Sequence, residues 1–65
     1  MTVKNDKLLK ARQCLELTQL ETARRANIAV RVYQKYENEG QTPNVKTAIR
    51  IADALETTVK ELWGQ

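Results

Sequence analysis

The sequence has no histidine, no phenylalanine and a single cysteine, Cys14. One cysteine cannot form an internal disulfide, and without histidine the usual zinc ligand sets are missing. A Ser–His or Cys–His catalytic pair is excluded for the same reason, and two glycines are too few for a phosphate-binding loop. These absences argue against an enzyme, and nothing in the sequence indicates a metal or another cofactor.

Long apolar runs are missing as well. The sequence contains no window of 18 uninterrupted apolar residues, and polar residues 4–7 interrupt the amino end where a signal peptide needs an apolar stretch. We therefore expect a cytoplasmic protein that does not enter a membrane. Its 65 residues are 42 % hydrophobic and 29 % charged, which is typical of one small globular domain spanning residues 1–65.

Positive charge is concentrated in the first half of the chain. Residues 1–36 carry eight Lys and Arg against three Asp and Glu, whereas residues 37–65 carry three against five. This asymmetry predicts one side of the protein that faces a polyanion. An ordinary solvated surface would give the same asymmetry, so charge alone does not decide between them.

The apolar pattern predicts helices and no strands. Apolar residues recur three or four positions apart, and no stretch alternates with period two. We expect five short helices: residues 5–15, residues 18–26, residues 30–38, a fourth that begins after Asn44, and a fifth that begins after Thr58 and ends at Leu62–Trp63.

Capping signals mark the helix ends. Thr18 to Glu21 and Thr58 to Glu61 are capping boxes, in which each side chain bonds the backbone N–H of the other residue. Asn27 suits the left-handed conformation that ends the second helix. On the fourth helix, the spacing predicts an inward stripe of Val45, Ala48, Ile49, Ala52 and Leu55.

Two short helices joined by a three-residue turn, over about residues 18–38, have the arrangement of a DNA-binding helix-turn-helix. Further pieces occur in a fixed order: Arg12, Leu17-Thr18-Gln19, Glu21, Ala23, Ile28, Tyr36-Glu37-Asn38, Pro43, Thr47-Ala48, residues 51–55 and Glu61-Leu62-Trp63. In this order and spacing, residues 7–63 resemble the lambda-repressor-like, Cro-type helix-turn-helix domains of bacterial and phage transcription regulators.

The resemblance implies a compact five-helix all-α fold in which residues 30–38 are the recognition helix. By the same resemblance, DNA bases are contacted by Val30, Arg31, Gln34 and Lys35. DNA phosphates are contacted by Thr18, Gln19 and Asn38. A partly buried ion pair that fixes the recognition helix is formed by Arg12 and Glu37.

The chemistry of the recognition helix agrees with that assignment. Spacings of three and four place Arg31, Gln34 and Lys35 on one helix face. Arg is suited to the O6 and N7 atoms of guanine and Gln to the N6 and N7 atoms of adenine, while Val30 suits a thymine methyl. The alternative interpretation is a solvated polar face without a ligand.

The sequence also departs from the family pattern. Glutamates stand at three positions where the family often has glycine, which is unfavourable wherever the backbone is left-handed; they are Glu16, Glu39 and Glu56. We expect Gly40, next to Glu39, to adopt the left-handed conformation that the turn requires. Thr22 replaces a usual core Leu and Tyr33 a usual Ile, so a small and a large residue would together conserve core volume.

These observations predict a sequence-specific double-stranded DNA-binding transcription regulator, a repressor that binds a palindromic operator as a homodimer with one recognition helix per half-site. The apolar carboxyl end at Leu62–Trp63 favours self-association. One alternative is an antitoxin-like or accessory protein-interaction module, which an exposed patch of Leu20, Tyr33 or Trp63 would favour. Another is a structural helical domain without DNA affinity.

Overall fold

The computed structural model describes residues 4–64, and these residues form five α-helices and no strand. In chain order the helices are α1 (Asp6–Cys14), α2 (Gln19–Arg25), α3 (Val30–Asn38), α4 (Val45–Ala54) and α5 (Val59–Trp63). The predicted compact five-helix all-α fold is confirmed. None of these five helices has the length and hydropathy that crossing a bilayer requires.

Polar side chains fix where the helices begin. The Asn5 side chain accepts from the backbone N–H of Lys7 and Leu8, and so caps α1. The predicted box at Thr18 and Glu21 is complete, with both bonds 3.0 Å long. At α5, Glu61 N–H donates to Thr58 Oγ1 at 3.2 Å, but the structure has only this half of the predicted second box.

All five helices contribute to the core: α2 packs against both α3 and α4, and α1 packs against both α3 and α5. Thr22 and Tyr33 are both fully buried, and their polar atoms are satisfied by Thr18 O and by the Glu37 carboxylate. The contiguous apolar core consists of Leu8, Leu17, Ala23, Ala26, Tyr33, Ile51, Ala52, Ala54, Leu55 and Leu62.

The prediction for the inward face of α4 was partly wrong. Val45 is 74 % exposed and Ile49 is 47 % exposed, whereas Ile51 is fully buried. Six of the ten residues from Val45 to Ala54 are apolar, and together with the cap Leu55 they allow two overlapping series at helical spacing, so periodicity could not choose between them. The series that packs against α2 and α5 starts at Ala48, one turn later than predicted.

The apolar carboxyl end contributes to the core. Leu62 is buried, and Trp63 is half-buried and packs against the core cluster. The exposed large apolar side chains lie elsewhere among the described residues: Leu20, Val32, Val45 and Ile49. Self-association through Leu62 would therefore require the core to open.

Within residues 4–64, three residues other than glycine adopt the left-handed backbone conformation. They are Glu16 at φ 55°, Asn27 at φ 59° and Glu56 at φ 56°, each just after a helix. Glu39 has φ −109° instead, and Gly40 at φ 69° takes the turn, as the sequence predicted. The chain therefore tolerates a local strain at Glu16 and Glu56 that glycine would avoid.

We expect Glu16→Gly and Glu56→Gly each to raise the free energy of unfolding by about 0.5–1 kcal/mol, since relief of the left-handed strain exceeds the added chain entropy of glycine. Both side chains are exposed, so no packing is lost. Urea denaturation measures the effect. Glu39→Gly is the matched control, because its φ is ordinary; an equal gain there would contradict the explanation.

Candidate nucleic-acid interface

The link between α2 and α3 is short, and two backbone hydrogen bonds tie it to α2. Asn27 N–H donates to Arg24 O at 3.1 Å, and Ile28 N–H donates to Ala23 O at 2.9 Å. The left-handed Asn27 lets the chain turn there, and Ile28 packs against the core. These contacts hold α3 against α2 across a short turn, which is the arrangement of a helix-turn-helix.

Glu37 and Arg12 form a bidentate ion pair between α3 and α1. Arg12 Nε lies 2.9 Å from Glu37 Oε1, and Arg12 Nη2 lies 3.1 Å from Glu37 Oε2. The remaining arm, Nη1, donates to Leu17 O at 2.8 Å. The two side chains are only 15 % and 5 % exposed, so the pair is largely withdrawn from water.

Two further donors complete the bonds to the carboxylate. Tyr33 OH donates to Glu37 Oε1 at 2.8 Å, and Gln19 Nε2 donates to Glu37 Oε2 at 2.7 Å. Each carboxylate oxygen thus accepts two hydrogen bonds, which fills its acceptor capacity. We call Arg12, Gln19, Tyr33 and Glu37 the Glu37 cluster. It ties α1 and the first residue of α2 to α3.

The cluster keeps Glu37 ionised and Tyr33 protonated. Burial by itself would raise the pKa of Glu37, but the hydrogen bonds from Arg12, Tyr33 and Gln19 outweigh it, so its pKa lies below the ordinary value. Burial raises the pKa of Tyr33 well above its ordinary value, and the hydrogen bond to the Glu37 carboxylate adds to this effect. At neutral pH the cluster therefore has one fixed pattern of donors and acceptors.

The sequence did not reveal Tyr33 or Gln19 as partners of Glu37. Tyr33 was expected only to fill core volume, although it stands four residues before Glu37 and hence on the same helix face. That spacing was the available signal for the bond. Gln19 lies 18 residues away in sequence, and its bond to Glu37 depends on the tertiary packing of α2 against α3.

Gln19 continues the network toward the surface. Its Oε1 accepts from Gln34 Nε2, and its Nε2 also donates to Asn38 Oδ1, both at 3.3 Å. Both N–H hydrogens of Gln19 are therefore engaged. The predicted phosphate contact by this side chain requires the phosphate to replace Asn38, the weaker of its two acceptors.

The predicted base-contacting residues are not equally accessible. Arg31 and Lys35 are exposed on α3, Gln34 is half-buried beside Gln19, and Val30 is half-buried against the core. Of the predicted phosphate-contacting residues, Thr18 and Asn38 are exposed and Gln19 is half-buried. The predicted groups thus occupy the first turn of α2 and the length of α3. Residues 4–64 contain no group of three or more metal-ligating side chains.

Comparisons with known proteins bear on this arrangement. A family model described as Helix-turn-helix matches residues 8–62. The cryptic phage CTXphi transcriptional repressor RstR of Vibrio cholerae serotype O1 is 33 % identical over 60 residues. This alignment covers 92 % of the chain and 54 % of RstR, so the chain spans about half the length of that curated relative.

Solved structures share the fold at low sequence identity. The restriction-modification controller protein C.AhdI from Aeromonas hydrophila superposes with a TM-score of 0.82 at 19 % identity, covering 91 % of this chain and 89 % of that chain. The P22 c2 repressor, solved with a synthetic operator, superposes with a TM-score of 0.82 at 15 % identity over the whole of both chains. At these identities the likeness establishes the fold alone.

Five helices, with α2 and α3 joined by a tight turn and α3 anchored by a buried ion pair, define a small helix-turn-helix domain of the DNA-binding class. The family model covers most of the chain. The chain belongs to the lambda-repressor-like helix-turn-helix family, as the sequence resemblance predicted, and the proteins of this family are non-enzymatic DNA-binding regulators.

We expect Arg12→Ala to lower the free energy of unfolding by on the order of 3 kcal/mol, since it leaves the buried Glu37 carboxylate without its charged partner. Arg50→Ala is the matched control, because Arg50 is exposed on α4; it should change stability by less than about 0.5 kcal/mol. Chemical denaturation compares the two. Equal midpoints for Arg12→Ala and wild type would mean that the ion pair does not hold the fold.

Proposed function

We propose that this protein binds double-stranded DNA sequence-specifically and represses transcription, with α3 as the helix that enters the major groove. The observation that carries the proposal is the division of α3 into two sides. One side, with Tyr33 and Glu37, is buried and hydrogen-bonded. The other exposes Arg31 and Lys35, and the one ion pair among residues 4–64 involves neither of them. Cationic side chains on a rigid helix suit the polyanionic groove.

Each of the residues predicted to contact bases suits a particular base edge. Arg31, in the first turn of α3, suits bidentate contact with guanine O6 and N7. Gln34 suits adenine, and Lys35 adds a donor one position further. Val30 is half-buried, so its exposed part would reach a thymine methyl only when α3 lies deep in the groove.

Phosphate contacts would position the domain on the duplex. Thr18 and Gln19 at the start of α2 and Asn38 at the end of α3 come together, because Gln19 bonds Asn38 across the two helices. A phosphate oxygen would take the place of Asn38 Oδ1 as acceptor for Gln19, and Asn38 would turn its own N–H groups to the phosphate. The loop of residues 39–42 has no basic residue, so we expect modest nonspecific affinity.

The repressor role rests on likeness to relatives, and the dimer rests on the two-fold binding that is common among helix-turn-helix domains. RstR is a phage transcriptional repressor, and the P22 c2 repressor was solved on an operator. We infer that this protein acts likewise in the cytoplasm, as a homodimer on a palindromic operator with one α3 in each half-site. Sedimentation of the protein with its selected duplex should give two protomers per duplex; a single protomer bound stably to its best site would refute the dimer.

The protein-interaction alternative has less support. It was expected to expose Leu20, Tyr33 or Trp63 in one patch. Leu20 is 46 % exposed, but Tyr33 is fully buried and Trp63 packs against the core. A structural domain without DNA affinity would not explain why two cationic side chains are exposed on a helix whose other side is buried and hydrogen-bonded.

Selection of bound duplexes from a random pool, at two salt concentrations, tests the proposal and yields an operator. On that operator, Arg31→Ala should cost about 1–3 kcal/mol of binding free energy, and on a scrambled duplex much less, because a base contact is lost only where the correct base is present. Arg50→Ala on α4 controls for net charge. An equal loss on both duplexes would make Arg31 a phosphate contact, and no enrichment of any sequence would refute the proposed function.

A further inference from the structure

The Glu37 carboxylate determines which way the Gln19 amide faces. An ionised carboxylate accepts hydrogen bonds and cannot donate them. The 2.7 Å contact to Glu37 Oε2 must therefore come from the Nε2 of Gln19, and the Oε1 of Gln19 must point the other way. Amide nitrogen and oxygen are otherwise hard to assign, but a charged acceptor leaves one solution.

The Gln19 amide in turn determines which way the Gln34 amide faces. Gln19 Oε1 is an acceptor, so its neighbour at 3.3 Å must be the Nε2 of Gln34. If the Gln34 amide were reversed, two carbonyl oxygens would face each other without a hydrogen bond between them. The orientation of Gln34, on the DNA-facing part of α3, thus follows from an ionised group in the core.

The bond to Gln19 leaves Gln34 with a defined set of unused groups. One N–H hydrogen on Nε2 remains as a donor, and Oε1 remains as an acceptor. Adenine offers the matching pair in the major groove, an N7 acceptor and an N6 donor. A glutamine whose amide turned over without cost would offer either group at either place, and so it would discriminate less among bases.

We propose that Gln19 is a positioning residue that holds the Gln34 amide in one orientation for reading an adenine, with Glu37 setting that orientation through Gln19. The inference rests on the proposed DNA-binding function and adds a role for Gln19 beyond a phosphate contact. A phosphate contact carries no sequence information, whereas an oriented Gln34 affects the preference at one base pair.

The test measures base preference rather than affinity alone. Wild type, Gln34→Ala, Gln19→Met and the double variant are titrated with the selected operator and with duplexes substituted at each base pair in turn. Gln19→Met keeps the length of the side chain and removes the amide, while Arg12 and Tyr33 still bond Glu37. The base pair that Gln34 reads is the one at which Gln34→Ala loses preference, by roughly 10-fold.

We expect Gln19→Met to lower the preference at that same base pair by a similar factor and to leave the preferences at other positions unchanged. The double variant should lose no more preference than Gln34→Ala alone. Asn38→Ala is the matched control: it removes the other surface partner of Gln19, and the preference at the Gln34 position should survive.

Two results would overturn the inference in distinguishable ways. If Gln19→Met weakens every duplex by one factor and keeps the preference at the Gln34 position, Gln19 is only a phosphate contact. If wild type prefers no duplex over another, the proposed function itself fails, and the role of Gln19 fails with it.

Discussion

Three helices of this protein meet at one buried carboxylate. Glu37 on α3 takes two bonds from Arg12 on α1, one from Gln19 on α2 and one from Tyr33 on its own helix. A charge withdrawn from water is costly unless it is fully paired, and replacement of such a pair by apolar residues is often neutral for stability. We therefore attribute to the Glu37 cluster mainly the position of α3, and to the apolar core most of the stability.

The proposed function of this domain depends on that position. The side chains that we propose to contact DNA lie on the outer side of α3, and a recognition helix reads bases only if its angle to the rest of the domain is reproducible. The Glu37 cluster fixes that angle from the buried side with directional bonds, which apolar contacts alone would not do. Through Gln19, the same bonds extend to Gln34 at the surface.

Much of this structure could be predicted from the sequence, because local signals determine it. Thr18, Asn44 and Thr58 cap the helices where expected, and Asn27 ends α2 in the left-handed conformation. The face of α4 could not be predicted, since its apolar residues fit two registers. Nor could the bonds of the candidate site: the sequence resemblance suggested a pairing of Arg12 with Glu37, but the links through Gln19 arise only when α2 packs on α3.

The pKa of Glu37 tests the central claim most directly. It can be followed by NMR titration of the side-chain carboxyl carbon in the folded protein. We predict a pKa below the unfolded value of about 4.3, so the stability that ionised Glu37 contributes is present above that pH and is lost as pH falls through the folded pKa. A pKa at or above the ordinary value would mean that the desolvation of Glu37 outweighs its hydrogen bonds. The four bonds would then not be formed, and other contacts would have to hold α3.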